Sequence, residues 1–241
     1  MLKVHSIETF GANEGPGLRP VLFLQGCQWR CLYCHNPDTQ PLSGGMSMSV
    51  ARALKLIDSQ KEYYGGQGAI TVSGGEPTLQ AKELIKLFSA CQRIGVHTAL
   101  DTNGAVDSPE VRKLYDLTDV VLLDIKQIDS GAHKRLTGAD NRAPLSLAAY
   151  REKSGKPFWV RYVLVPGYSD SPEDLNNFGE HFSLYKNLER VEILPYHTFA
   201  VYKYQELGKK YELTGVTPPT ADQVAKAKRI MEKHLPGVFV R

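Results

Sequence analysis

Val21-Leu22-Phe23-Leu24-Gln25-Gly26-Cys27-Gln28-Trp29-Arg30-Cys31-Leu32-Tyr33-Cys34 carries an apolar run directly into three of the chain's four cysteines. The run reads as a buried strand, and the cysteines fall at its end, where an α/β enzyme does its chemistry. Spacings of three and then two residues let one short loop wrap its thiolates around a single compact centre. A 4Fe-4S cluster offers one coordination position per iron and is normally closed by four thiolates, so a loop supplying three leaves one iron open. Structural zinc needs four protein ligands, usually as two separated Cys or Cys/His pairs. No second pair is visible, although His35 follows Cys34 and remains an available fourth ligand.

Outward from this loop, β-branched runs alternate with helical patterns. Strands are expected at Pro20 to Gln25, Ala69 to Ser73, His97 to Thr102, Val120 to Ile125, Phe158 to Val165 and Val191 to Leu194. That alternation is the pattern of βα units around a parallel sheet, and six of them make a partial (β/α)6 TIM-like barrel of the α/β class. In Ala81 to Ile94 the residues Leu84, Leu87, Phe88 and Cys91 form one apolar stripe, with Gly95 suited to the helix end. Cys91 is therefore expected in the core and not at the metal centre. Ser171-Pro172 opens another helix, and Thr220 with Gln223 makes a capping box for the last one. With no low-complexity stretch, long linker or further repeat, residues 1–241 read as a single domain.

The 241 residues, 42% of them hydrophobic, are enough for a sizeable core. No apolar run approaches the ~18 residues of a membrane helix, and Met1-Leu2-Lys3-Val4 lacks the regions of a signal peptide. A soluble, cytoplasmic protein with reduced thiols is expected. The net charge of +3 is dispersed, and the nearest approach to a basic stripe, Lys209-Lys210, lies between Glu206 and Glu212, so no nucleic-acid footprint is apparent.

Gly74-Gly75-Glu76-Pro77 follows the second strand of the set. Its glycines let a ligand approach the backbone, and Glu76 is available for a positive charge, although the same residues make an ordinary turn. Asp124 and Lys126 share one strand face by the period of two, as a barrel-mouth ion pair or as ligand-binding groups. His197 lies just past a strand, and Asp101-Thr102 precede the turn signal Asn103-Gly104.

Taken together, Cys27-x3-Cys31-x2-Cys34, with Tyr33 before the third cysteine, resembles the signature of the radical S-adenosylmethionine superfamily. Gly74-Gly75-Glu76 resembles the turn with which that superfamily holds the methionine amino group. The resemblance narrows with Glu14-Gly15-Pro16-Gly17-Leu18-Arg19, Gln25 to Asn36, Leu100 to Gly104, Leu123 to Gln127, Arg161-Tyr162 with Val165-Pro166-Gly167, and Leu194 to His197. In order, and over nearly the whole chain, these look like the pyruvate formate-lyase activating enzymes.

That resemblance implies a 4Fe-4S cluster on Cys27, Cys31 and Cys34, with S-adenosylmethionine on the open iron. One electron then cleaves the cofactor to a 5'-deoxyadenosyl radical, which takes hydrogen from a glycine of the partner, pyruvate formate-lyase. It places Tyr33, Cys34 and His35 by the adenine, and Gly74, Gly75 and Glu76 by the amino group. Lys126 would pair with the methionine carboxylate, Asp124 with an ammonium or cation, Ile125 between them would also contact the cofactor, and His197 would touch the ribose or methionine part. A monovalent cation, Na+ or K+, would lie among Asp101, Thr102, Asp124 and the carbonyl of Leu122. Glu14, at a position more usually Asp, and Arg161 would grip the partner's glycine loop. Flavodoxin or ferredoxin is the implied electron donor, no membrane or nucleic acid is involved, and the chain is expected to act as a monomer. Activases of other glycyl radical enzymes often carry ferredoxin-like clusters, for which no cysteines follow Cys34 except Cys91. A small-molecule radical S-adenosylmethionine enzyme and a zinc-binding interaction module are the other readings.

Overall fold

The computed structural model describes residues 1–64 and 68–241. Its strands are β1 (Leu2–Gly11), β2 (Arg19–Leu24), β3 (Met46–Met48), β4 (Ala69–Gly74), β5 (His97–Thr102), β6 (Val120–Asp124), β7 (Phe158–Leu164), β8 (Leu188–Pro195) and β9 (Phe239–Val240). They form one sheet in the order β3-β1-β2-β4-β5-β6-β7-β8-β9. From β2 to β9 every neighbouring pair is parallel, whereas β1 runs antiparallel to both β2 and β3. The six strands expected from the sequence are the consecutive parallel run β2, β4, β5, β6, β7 and β8. The fold is a partial barrel, as expected. The sequence reading had no place for the antiparallel extension β1–β3 or for the two-residue β9.

The helices are α1 (Val50–Gln60), α2 (Ala81–Arg93), α3 (Pro109–Leu117), α4 (Ser130–Thr137), α5 (Arg142–Lys153), α6 (Pro172–Phe182), α7 (Val201–Glu206) and α8 (Ala221–Glu232). The expected caps form: Ser171 accepts from the Asp174 N–H, and Thr220 and Gln223 close a capping box. In α2 the residues Leu84, Leu87, Phe88 and Cys91 are all buried. They pack on alternate strand residues such as Leu22, Ile70, Val72 and Leu100. Each such side chain contributes roughly 1.5–3 kcal/mol by leaving water, and this layer between helices and sheet is the main core.

The intervening strand residues face the other way, into the barrel. Ala99, Val120, Leu122 and Trp159 form a small apolar floor there. One step further along β5, β6 and β7 on the same face come Asp101, Asp124 and Arg161, so the interior turns from apolar to charged toward the C-terminal ends of the strands. The connection between β1 and β2 folds against this interior. The Thr71 hydroxyl donates to the Glu14 carbonyl, and Arg161 donates to the carbonyl of Asn13.

Candidate active site

β2 delivers the chain to Gly26, whose φ of +103° opens the cysteine loop. The loop is then fixed by its own backbone. Gly26 N–H donates to Thr39 at 2.7 Å, and Arg30 and Leu32 N–H donate to the last residues of α4, Thr137 and Leu136, at 3.0 and 2.9 Å. The Tyr204 hydroxyl donates to the Cys34 carbonyl at 3.0 Å. Cys27, Cys31 and Cys34 are free thiols that line one cavity of about 470 Å3. Burial pushes the Cys27 thiol up to about 11 and Cys31 up to about 12, so thiolates here require a positively charged metal centre to offset the desolvation. Among the described residues no three His, Cys, Asp or Glu side chains gather around a point suited to one metal ion.

The glycine turn sits beside this loop for a steric reason. A Cβ on Gly74 would lie 2.1 Å from the Leu24 nitrogen, and one on Gly75 would lie 2.3 Å from the Gly26 carbonyl oxygen. Only glycine lets the end of β4 press on the end of β2. Gly75 N–H donates to Leu24 and Glu76 N–H to Gly26, at 2.9 and 2.7 Å. With those donors used, the turn has carbonyl oxygens to offer a ligand, which suits an ammonium group. Glu76 itself differs from the sequence expectation. Its carboxylate is fully buried and accepts from Thr78 N–H at 2.9 Å, Thr102 Oγ1 at 2.7 Å and Asn103 N–H at 2.8 Å, as well as from the Thr78 hydroxyl. It ties the β4 turn to the end of β5 and faces away from the cavity.

The opposite wall is charged. Lys126 Nζ lies 2.8 Å from Asp124, and Arg161 reaches Asp101 at 3.1 Å and Glu192 at 3.0 Å. Burial works to lower the Lys126 pKa, but Asp124 and Cys31 outweigh it and keep the ammonium above its ordinary value. Burial likewise opposes the Arg161 charge, and Asp101, Asp124 and Glu192 together outweigh it. Arg161 is thus anchored inside the barrel, where it lines the same cavity as the half-buried Glu14. Of the residues expected around a cation, Asp101 receives Arg161 and Ser73 on one oxygen, Oδ2, and the Thr102 hydroxyl donates to Glu76 and accepts from Gly104 N–H. The side chains of Leu122 and Ile125 are buried in apolar clusters, so only their backbone is available to ligands.

His35 and His197 come together at the rim. Their rings stack at 3.9 Å with 14° between planes, and a ring nitrogen of His35 lies 3.1 Å from the His197 carbonyl. Burial lowers both pKa values and favours neutral imidazoles. Tyr33 also lines the cavity; its ring lies 5.6 Å from Lys126 Nζ, and its buried hydroxyl has no hydrogen-bond partner among the described residues. Sequence reasoning missed two contributors. Glu192 is charged yet sits inside β8 beside Val191 and Ile193, a signal that the period of two could have supplied. Asn103 was read as a turn residue, but its amide lies 3.6 Å from Cys27 Sγ.

The comparison with known proteins fits this geometry. Residues 21–179 match the Radical SAM superfamily model, a span that runs from β2 into α6 and includes the cysteine loop, the glycine turn and Lys126. The chain belongs to the radical S-adenosylmethionine superfamily. A 4Fe-4S cluster and S-adenosylmethionine are accordingly its cofactors. The donor set fits them: three thiols, an ammonium-accepting turn and an ammonium at Lys126 share one cavity. Within the superfamily the chain is 47% identical over 236 residues to the pyruvate formate-lyase-activating enzyme of Streptococcus mutans, covering 95% of this chain and 90% of that one. It is 39% identical over 235 residues to the pyruvate formate-lyase 1-activating enzyme of Escherichia coli, with 96% of each covered. This radical S-adenosylmethionine protein is thus one of the pyruvate formate-lyase activating enzymes by family. Its fold is similar to a domain of the Bacteroides vulgatus pyruvate-formate lyase-activating enzyme (TM-score 0.59, 21% identity, 71% of this chain and 96% of that one). It is also similar to Streptococcus suis SuiB bound to S-adenosylmethionine (TM-score 0.65, 17% identity, 86% and 44%).

Proposed function

We propose that this protein activates pyruvate formate-lyase by installing a glycyl radical in it. The observation that carries the reading is the convergence of Cys27, Cys31, Cys34, Gly74, Gly75 and Lys126 on one cavity at the C-terminal ends of parallel strands. Cys27, Cys31 and Cys34 would hold the cluster, and Gly75 and Lys126 the S-adenosylmethionine; together the two groups would supply the one-electron chemistry needed to take hydrogen from the partner glycine.

The chain's own residues bind and orient. Lys126, held charged by Asp124, pairs with the methionine carboxylate, and the carbonyls of the glycine turn accept from the amino group. Tyr33 and the stacked pair His35–His197 give flat surfaces for the adenosyl part. Glu14, at the inner wall of the cavity, is placed to hold the backbone of an entering glycine loop, while Arg161 fixes the neighbouring Asn13 carbonyl. A Na+ or K+ ion beside Asp101 and Asp124 would be an addition to the charges of Arg161 and Lys126 already there. Beyond Cys34 the only cysteine is Cys91, buried in α2, which favours a single-domain activase without ferredoxin-like clusters. We further propose a monomer served by flavodoxin or ferredoxin in a reducing cytoplasm. Among the described residues no helix is long and apolar enough to cross a membrane.

The test mixes the anaerobically reconstituted, reduced protein with S-adenosylmethionine and pyruvate formate-lyase and reads electron paramagnetic resonance. A glycyl radical on the partner is expected. Cofactor cleavage without that radical would assign a different substrate.

A further inference from the structure

Cys27 has a side-chain amide held against its sulfur. Asn103 Nδ2 lies 3.6 Å from Cys27 Sγ, within hydrogen-bond reach for sulfur. The amide's orientation is fixed independently, because Asn103 Oδ1 accepts from Ala105 N–H at 2.9 Å and so turns the NH2 group toward the thiol. The backbone beneath it is fixed too: Asn103 N–H donates to the buried Glu76 carboxylate at 2.8 Å. Asn103 is only 7% exposed, so the dipole acts where water screens little.

We propose that Asn103 tunes the reduction potential of the cluster through an N–H···S bond to Cys27. This rests on the reading that Cys27, Cys31 and Cys34 ligate the cluster. Reduction adds one electron, taken from a low-potential one-electron donor, to the cluster and its thiolates. A donor dipole aimed at a ligand sulfur stabilises the more negative, reduced form over the oxidised one. Asn103 therefore raises the potential and eases the electron's entry. Glu76 acts as the positioning residue behind it, converting the glycine turn into a fixed aim for the amide.

The experiment is anaerobic potentiometry, with dithionite as reductant, on reconstituted wild-type, Asn103→Leu and Asn103→Asp proteins, each assayed for iron and sulfide. Leu keeps the approximate volume without a donor, and Asp keeps the shape but replaces the NH2 by oxygen. The expected result is full clusters with the one-electron reduction equilibrium weakened about tenfold in Asn103→Leu, a fall of ~59 mV, and by at least as much in Asn103→Asp. An unchanged potential in a fully loaded variant overturns the proposal. Loss of the cluster from both variants would make Asn103 an assembly residue and also overturn it. Failure of the underlying reading is separate, because the wild-type protein itself would then bind no iron and sulfide.

Discussion

Replacing Glu76 separates a structural tie from a ligand contact. In Glu76→Ala the N–H groups of Thr78 and Asn103 lose their acceptor, as do the hydroxyls of Thr78 and Thr102. The hydroxyls can rotate to other acceptors, but the two N–H groups cannot. At roughly 1–3 kcal/mol for each buried donor left unpaired, the loss is on the order of 2–6 kcal/mol, against a total stability of about 5–15 kcal/mol for a domain. Glu76→Gln keeps one oxygen for the three contacts to Thr78 and Thr102 and turns an NH2 group against Asn103 N–H, for a loss of roughly 1–3 kcal/mol. Urea denaturation under anaerobic conditions, with and without saturating S-adenosylmethionine, reads both numbers from the midpoint shift. The structural role predicts lower midpoints without ligand and a nearly normal extra shift on adding it in Glu76→Gln. An unchanged midpoint combined with lost ligand stabilisation would refute the reasoning and return Glu76 to the cofactor.

Three further outcomes are expected. Arg161→Leu leaves Asp101 buried without its guanidinium partner, while Glu192 keeps Arg190 and Arg241, and should cost about 3–5 kcal/mol, read as a lowered urea midpoint; a wild-type midpoint would mean the Arg161 contacts add nothing. Cys91→Ala should lower stability by about 1 kcal/mol while iron and sulfide content stay at the wild-type level, since Cys91 packs in α2 with no link to the cavity. His97 is held below its ordinary pKa by burial and by Arg19, so the unfolded chain binds its proton more readily. Its contribution is complete above about pH 6.5 and is lost as pH falls below that value. The acid side of the stability profile should therefore flatten in His97→Gln relative to wild type, and superimposable profiles would contradict the assignment.

The parallel strands were legible because each is a short apolar run whose neighbours are covered by amphipathic helices, as in Ile70–Val72 under Leu84 and Phe88. The pairing of Asp124 with Lys126 was legible for a similar reason, since a period of two fixes which residues share a face. β1 was not, because its central and later residues, from His5 to Phe10, are half-buried or exposed and show no sustained alternation. β3 and β9 are too short to carry any period. The role of Glu76 was hidden by distance along the chain: its partners Thr102 and Asn103 lie 26 and 27 residues on, and meet it only because β4 and β5 are neighbours. The contact of Asn103 with Cys27 spans 76 residues and needs β2, β4 and β5 to be in register at once.

That register explains why a short glycine turn matters to three strands. Gly75 and Glu76 donate back to the end of β2, where the cysteine loop begins, and the Glu76 side chain holds the end of β5. The thiols come from the first strand's loop, the ammonium-accepting carbonyls from the second's, and Asp101 and Asn103 from the third's. One turn therefore fixes the relative positions of groups that must meet on a single cofactor, and it does so with buried hydrogen bonds that water does not compete for. On the far side the rim is held differently. His197 leans on His35 by ring stacking and one polar contact, and Phe199 beside it is 79% exposed. The segment after β8 is nonetheless tied back to the cysteine loop, because the Tyr204 hydroxyl donates to the Cys34 carbonyl and Lys203 Nζ donates to Asn36 and Asp38, so the glycine turn and α7 hold that loop from two sides.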